Sequence, residues 1–159
     1  MELYEEWLQK ADDTGLRIVE NVPFESNAKG LICGDCIGLS DQLDTSDEKT
    51  CVLVEEIGHH YTGAGNVLNL SFERNRKQER AGRLWAYDKL IGLSGIIQGY
   101  RSRCRNRHEL AECLQVTESF LQEALDCYKE KYGPVAEIDG YVIMFEPSLA
   151  VVEQIPKTP

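Results

Sequence analysis

Two carboxylates and an imidazole occur within about one helical turn at residues 55–60, which read Glu-Glu-Ile-Gly-His-His. Four residues advance an α-helix by about 400°, so Glu55 and His59 point in the same direction one turn apart. Glu56 lies about 100° further round the helix, beside that pair. The spacing could hold a divalent metal ion between Glu55 and His59, with Glu56 placed as a general base.

The same spacing occurs in the zinc motif His-Glu-x-x-His, with Glu55 in place of the first histidine. In that motif the glutamate accepts a proton from a water on the metal, and a third ligand arrives from a later helix. Glu79, twenty positions after His59, is the candidate third ligand. A frame shifted by one residue would put Ile57 at the base position, where it cannot accept a proton. We therefore assign Glu56 as the base, and the metal ligands are Glu55, His59 and Glu79.

The glutamate at position 55 changes the expected metal chemistry. A site with two carboxylates and one imidazole is formally neutral around a divalent ion, so the metal should polarise its water less than a two-histidine site does. Carboxylate-rich sites also favour harder ions. We expect one Zn²⁺, with Mn²⁺ as the alternative. From the spacing alone, a solvated cleft without a metal ion remains the alternative. The spacing also assigns no role to His60.

Composition limits the partners. The chain has 159 residues, 42% of them apolar, and a net charge of −10. No apolar run is long enough for a membrane span, and the N-terminus lacks the features of a signal peptide, so we expect a cytoplasmic protein with no membrane partner. The negative charge disfavours direct nucleic-acid contact. The clustered arginines indicate a solvated loop or helix end: Arg101, Arg103, Arg105 and Arg107.

Cys33 and Cys36 form the one Cys-x-x-Cys unit among six cysteines. Gly34-Asp35 between them is typical of a two-residue hairpin turn, and apolar residues stand on both arms. We expect neighbouring strand residues with reduced thiols. A metal or redox role remains the alternative.

The apolar periodicity predicts an α+β chain. The predicted elements are a helix at 2–15, a strand at 16–22, a hairpin at 30–40, helices at 47–61 and 75–91, two helices within 107–132 and a hairpin at 135–146. A loop is expected at 62–66 and a frayed end at 156–159. The helix at 47–61 is apolar round most of its circumference, so we expect it, Tyr61 included, in the core. The pair within 107–132 is helix-turn-helix-like but acidic, which favours packing or protein contact over DNA binding.

Two segments carry a family resemblance: Cys51-Val-Leu-Val-Glu-Glu-Ile-Gly-His59 and Lys77-Gln-Glu-Arg-Ala-Gly-Arg-Leu-Trp-Ala86. With them the chain resembles the ImmA/IrrE metallopeptidases, specifically the short members carried by phages, prophages and conjugative elements, over about residues 1–150. Three residues depart mildly from the second motif: Gly82, Arg83 and Trp85 stand where Ala, Asn and Phe are usual.

The resemblance implies a small zincin-like domain at 1–92, with helices on a small sheet. A helix-turn-helix-like segment at 93–134 and a C-terminal hairpin and tail at 135–159 would pack with it as one unit. It implies a gluzincin-like endopeptidase in a bacterial host cell, an anti-repressor that cleaves a helix-turn-helix repressor. The peptide would lie extended along a sheet edge, with Glu56 as base. The alternative is a pseudo-peptidase that binds a repressor or other regulator without cleaving it.

Overall fold

The computed structural model describes residues 2–63 and 72–155, with side chains omitted at 72–75. The loop predicted at 62–66 falls largely outside these residues, and the end predicted at 156–159 falls wholly outside them. The elements in chain order are α1 (Leu3–Asp13), β1 (Arg17–Val22), β2 (Gly30–Cys33), β3 (Cys36–Ser40), α2 (Ser46–Thr62), α3 (Phe72–Leu90), α4 (Gly92–Arg101), α5 (Arg107–Leu114), α6 (Glu118–Tyr132), β4 (Val135–Ile138), β5 (Tyr141–Met144) and β6 (Ala150–Glu153). The fold class is α+β, as the sequence predicted.

The first sheet has the order β1-β3-β2, with β1 parallel and β2 antiparallel to β3. The hairpin turn at Gly34-Asp35 is confirmed. Gly34 has φ +63° at the first turn position, which glycine adopts without steric cost. The parallel pairing of β1 with β3 was not predicted. The central strand carries the buried side chains Ile37 and Leu39 and supplies the sheet's share of the core.

Helix α2 lies against this sheet and forms the centre of the core. Thr45 caps it by accepting a hydrogen bond from the amide of Glu48 at 3.1 Å. Cys51, Val54, Ile57 and Gly58 are buried, as the apolar pattern predicted, and Val52 is half-buried. Tyr61 is an exception, because 52% of its surface is exposed.

Helices α2 and α3 cross in direct contact at two glycines. A Cβ added to Gly58 would lie 2.4 Å from the carbonyl oxygen of Gly82 and 3.2 Å from Cε3 of Trp85. No larger side chain fits there without separating the helices, because such distances are far below van der Waals contact. Helix α3 starts at Phe72, three residues before the predicted Asn75, so Glu79 lies two turns into it.

The C-terminal half joins helices α4–α6 to a second sheet of order β4-β5-β6, antiparallel throughout. The break between α5 and α6 is confirmed, with Gln115 in the left-handed region and Thr117 capping α6. The predicted Asp139-Gly140 turn is confirmed as well. The prediction of a hairpin alone was wrong, since Ala150–Glu153 adds a third strand after Pro147. Its residues are mostly exposed and give little alternating pattern to read.

Helix α4 was not assigned as a separate element. Gly95 and Gly99 within it weaken a helical signal, although both are buried against α5. The arginine cluster does surround a loop, since Arg101 ends α4 and Arg107 begins α5. Within the described residues, no helix is long and apolar enough to cross a membrane.

The glycine contact predicts opposite outcomes for two Gly→Ala substitutions inside helices. Gly58→Ala should lower the free energy of unfolding by about 1–3 kcal/mol, because the methyl group collides with the α3 backbone. Gly95→Ala is the matched control. Its Cβ would stand 3.4 Å from Leu114, an ordinary contact, and alanine favours the helix by up to about 1 kcal/mol. Urea unfolding of both variants measures the difference, and equal effects would contradict the tight crossing.

Candidate functional site

His59 lies between two carboxylates from different parts of the fold. Its Nδ1 is 3.3 Å from Oε2 of Glu56, one turn back on α2, and its Nε2 is 3.3 Å from Oε2 of Glu79 on α3. The structure therefore brings together three of the four predicted site residues. Glu56 and His59 are buried, whereas Glu79 is about half exposed and opens the group to solvent.

Gly82 makes this arrangement possible. A Cβ at that position would lie 2.0 Å from Cδ2 and 2.8 Å from Nε2 of His59, so the imidazole occupies the space of a missing side chain. In the resembled family, alanine is usual at the position of Gly82. In this chain glycine is required there, because the His59 ring occupies the space that any side chain at position 82 would need.

The electrostatics of the group favour a charged imidazole in the metal-free chain. Burial lowers the pKa of His59, but the close contacts and negative charges of Glu56 and Glu79 outweigh it and raise that pKa to about 10. The contact with His59 in turn lowers the pKa of Glu79, against a smaller opposing effect of burial. A metal ion would therefore have to displace a proton from His59.

Glu55 lies close to a second set of charges. Burial raises its pKa to about 7, Arg83 opposes that shift, and Glu123 adds to it. His59 acts on Glu55 more weakly than Arg83 and Glu123 do. The pKa of Glu55 is thus influenced more by Arg83 and Glu123 than by His59, which follows it by one turn as predicted.

Arg83 and Glu123 were not among the predicted site residues. Arg83 Nε lies 3.7 Å from Oε1 of Glu79, and Tyr87 donates a hydrogen bond to Glu123 at 3.1 Å. The i, i+4 spacing of Glu79 and Arg83 in the sequence is typical of a helical ion pair and could have predicted their contact. Nothing in the sequence connects Glu123 to residue 55, because that proximity depends on how α6 packs.

The back of the site is the edge strand β2. A Cβ at Gly30 would stand 2.6 Å from Cγ1 of Val52 and 3.3 Å from Oε1 of Glu56. The β2 backbone therefore passes directly over the Glu56 carboxylate. The next residue along, Leu31, is 56% exposed.

The donor set fits a metal ion in part. Zinc binds imidazole and carboxylate atoms at about 2.0–2.2 Å, so two donors on one tetrahedral ion stand about 3.4 Å apart. The 3.3 Å between His59 Nε2 and Glu79 Oε2 matches that spacing, and Nε2 is buried without an aligned hydrogen bond. Glu55 does not join them, and across residues 2–63 and 72–155 no group of three donors is arranged to hold an ion.

The remaining candidates lie outside this group. His60 stacks edge-on against Tyr61, with 5.4 Å between the ring centroids. Cys33 and Cys36 face each other across the β2–β3 hairpin, and both are free thiols as expected.

No family model, curated protein or solved structure matches this chain at a significant level.

The raised pKa of His59 predicts a pH dependence of stability. Below about pH 6.5, the ordinary histidine pKa, the imidazole is charged in both states and its ion pairs contribute fully. As the pH rises toward about 10, only the folded chain keeps the proton, so this contribution is lost. With a chelator present, urea unfolding should show wild type losing more stability across this range than His59→Gln. Parallel profiles would show that the imidazole is not held as a cation.

Proposed function

We propose that this chain is a metal-dependent endopeptidase of the ImmA/IrrE type that acts as an anti-repressor on a helix-turn-helix repressor of a phage or mobile element. The observation that carries the proposal is the meeting of His59 and Glu79. Twenty residues separate them in sequence, yet their donor atoms lie at the spacing of two ligands on one ion.

The sheet supports a peptide substrate. Strand β2 is an edge strand, antiparallel to its neighbour, and passes over Glu56. An extended peptide can add to such an edge through backbone hydrogen bonds, which would bring its carbonyl groups to the carboxylate. This arrangement agrees with a zincin-like domain, in which the edge strand lies beside the helix that carries the metal site.

Each residue then has a separate role. When bound, Zn²⁺ or Mn²⁺ would polarise the scissile carbonyl and lower the pKa of a water molecule. His59 and Glu79 would hold the ion, and Glu55 would join them by turning away from Arg83. Glu56, next to the edge strand, is the carboxylate that would accept the proton from the attacking water.

The second candidate is a binding module that grips a repressor or another regulator without cleaving it. Two observations favour it. Glu56 is engaged by Nδ1 of His59, and Glu55 interacts more strongly with Arg83 and Glu123 than with His59. Such a module needs the edge strand and the cleft but no metal ion.

Metal binding separates the two candidates. Tag-free protein should bind about one Zn²⁺ or Mn²⁺ per chain, measured by isothermal titration and elemental analysis. His59→Ala and Glu79→Gln should each weaken binding by more than about tenfold, since ligand loss costs at least as much as loss of a supporting contact. Glu55→His should raise zinc affinity, because it restores the common two-histidine ligand set.

The chain offers a matched control for this measurement. His108 Nε2 and Glu112 Oε1 form an exposed pair at 2.9 Å, of the same chemistry but outside the site. His108→Ala with Glu112→Gln should leave binding unchanged. A Cys33→Ser, Cys36→Ser background removes the two hairpin thiols as zinc ligands. Failure to bind either ion at millimolar concentration would exclude the peptidase.

Replacement of the base tests catalysis itself. Glu56→Gln keeps the shape and removes the proton acceptor, so it should abolish cleavage of the helix-turn-helix repressor proposed as substrate while metal content stays close to one ion. Coexpression followed by immunoblotting of the repressor measures this. If Glu56→Gln relieves repression as well as the parent does, the binding module becomes the better description.

A further inference from the structure

A second site lies where α1 meets the ends of α2 and α3, and we call it the aromatic groove. It is a cavity of about 640 Å³. Its apolar lining comes from five side chains on three helices: Trp7, Ala11, Ile57, Tyr61 and Trp85. Trp7 and Ile57 are buried, whereas Tyr61 is half exposed against the expectation that it would lie in the core.

Two lysines flank the groove. The Lys10 ammonium lies 4.3 Å from the centre of the Trp7 ring, and that of Lys89 lies 5.4 Å from the Trp85 ring. Within the described part of the chain neither ammonium has an ion-pair partner. The groove has one acid at its rim, Asp13, which already accepts a hydrogen bond from Gln9 at 2.9 Å.

The lining of the groove carries two lysines and one aspartate, so its charge has the opposite sign to that of the whole chain. The chain carries a net charge of −10, yet two cations without carboxylate partners stand on either side of an apolar cavity. Both lysines are exposed, so their ammonium groups, which lie over the indole rings, can still meet a ligand carboxylate. The groove therefore presents apolar surface and positive charge together.

We propose that the aromatic groove is a docking site for a peptide segment of a partner protein that carries apolar side chains flanked by carboxylates. The apolar side chains enter between Tyr61 and Trp7, and the carboxylates pair with Lys10 and Lys89. The volume lies within the usual range for a cavity that buries most of its ligand. Charge complementarity selects an acidic partner, since a basic one would meet both lysines.

The ring geometry disfavours a nucleic acid in the same place. Base recognition needs an open aromatic face on which a base can stack. The Trp85 ring contacts the Tyr61 ring, with 5.3 Å between their centroids, and the ammonium of Lys89 lies near it as well. Trp7 meets Trp85 edge to face at 6.1 Å and carries Lys10. Both indole rings are thus already occupied.

The proposal does not depend on peptidase activity. None of its residues is a proposed metal ligand or base, so it holds equally for an enzyme and for a binding module. Tyr61 and Trp85 do belong to the helices that carry His59 and Glu79, which would place a docked segment on the same part of the fold as the site.

The groove contains its own probe, because Trp7 and Trp85 are the two tryptophans of the chain. The titrant is an acetylated, amidated hexapeptide with a central Leu-Phe pair and two glutamates on each side. Excitation of tryptophan alone should show a saturable change in emission, and the apparent Kd should rise with salt, as expected for exposed ion pairs.

Lys10→Met with Lys89→Met removes both charges and keeps the apolar stems. It should weaken binding about tenfold, the loss expected for two exposed ion pairs. Lys10→Arg with Lys89→Arg should retain binding. Lys131→Met is the matched control, since Lys131 lies 5.2 Å from the Tyr132 ring on α6, outside the groove. Thermal melts confirm that each variant folds.

Three further titrants decide the chemistry: the same hexapeptide with lysines in place of glutamates, one with Gly-Ser in place of Leu-Phe, and a ten-residue oligothymidylate. Weaker binding of all three supports the proposal. Equal or tighter binding of any of them overturns it, as does a Kd unchanged by the double Met variant. No saturable response to the acidic peptide at millimolar concentration also overturns it.

Discussion

The contact of α2 with α3 at Gly58 and Gly82 is the constraint on which the rest of the structure depends. Without side chains at these positions, backbone atoms of one helix approach the other at distances that no Cβ would permit. The same approach lets the His59 ring lie over Gly82, where it meets Glu79. One packing requirement thus sets both the helix crossing and the meeting of the predicted site residues.

A buried imidazole between two carboxylates has two physical explanations. As a cation, His59 satisfies both neighbours, which is consistent with its raised pKa. As a metal ligand, it would share an ion with Glu79 through Nε2. The two states compete for one nitrogen, so proton and metal exclude each other at Nε2. With a metal ion bound, these residues would suit an enzyme. Without one, they form an ion-pair network.

Much of this could be predicted from the sequence because the signals were local. Helix caps, apolar periodicity and the Gly34-Asp35 and Asp139-Gly140 turns act within a few residues, and the elements they predicted are present. The parallel pairing of β1 with β3 and the addition of β6 depend on contacts distant in sequence, which leave no periodic pattern. For the site, helical spacing placed Glu55, Glu56 and His59 on one helix. The influence of Arg83 and Glu123 on Glu55 depends on how α3 and α6 pack near α2, which no local pattern in the sequence shows.

Glu55 shows why helical spacing alone does not determine a ligand set. The helix fixes the direction of its Cα–Cβ bond, but the carboxylate can still turn about its side-chain torsions. In this structure Arg83 lowers the pKa of Glu55 and so stabilises its ionised form, whereas Glu123 raises that pKa, as does burial. An ion beside His59 would offer two positive charges in place of one guanidinium already shared with Glu79. Whether residue 55 acts as a ligand therefore depends on the balance between Arg83, which already stabilises its ionised form, and an ion beside His59.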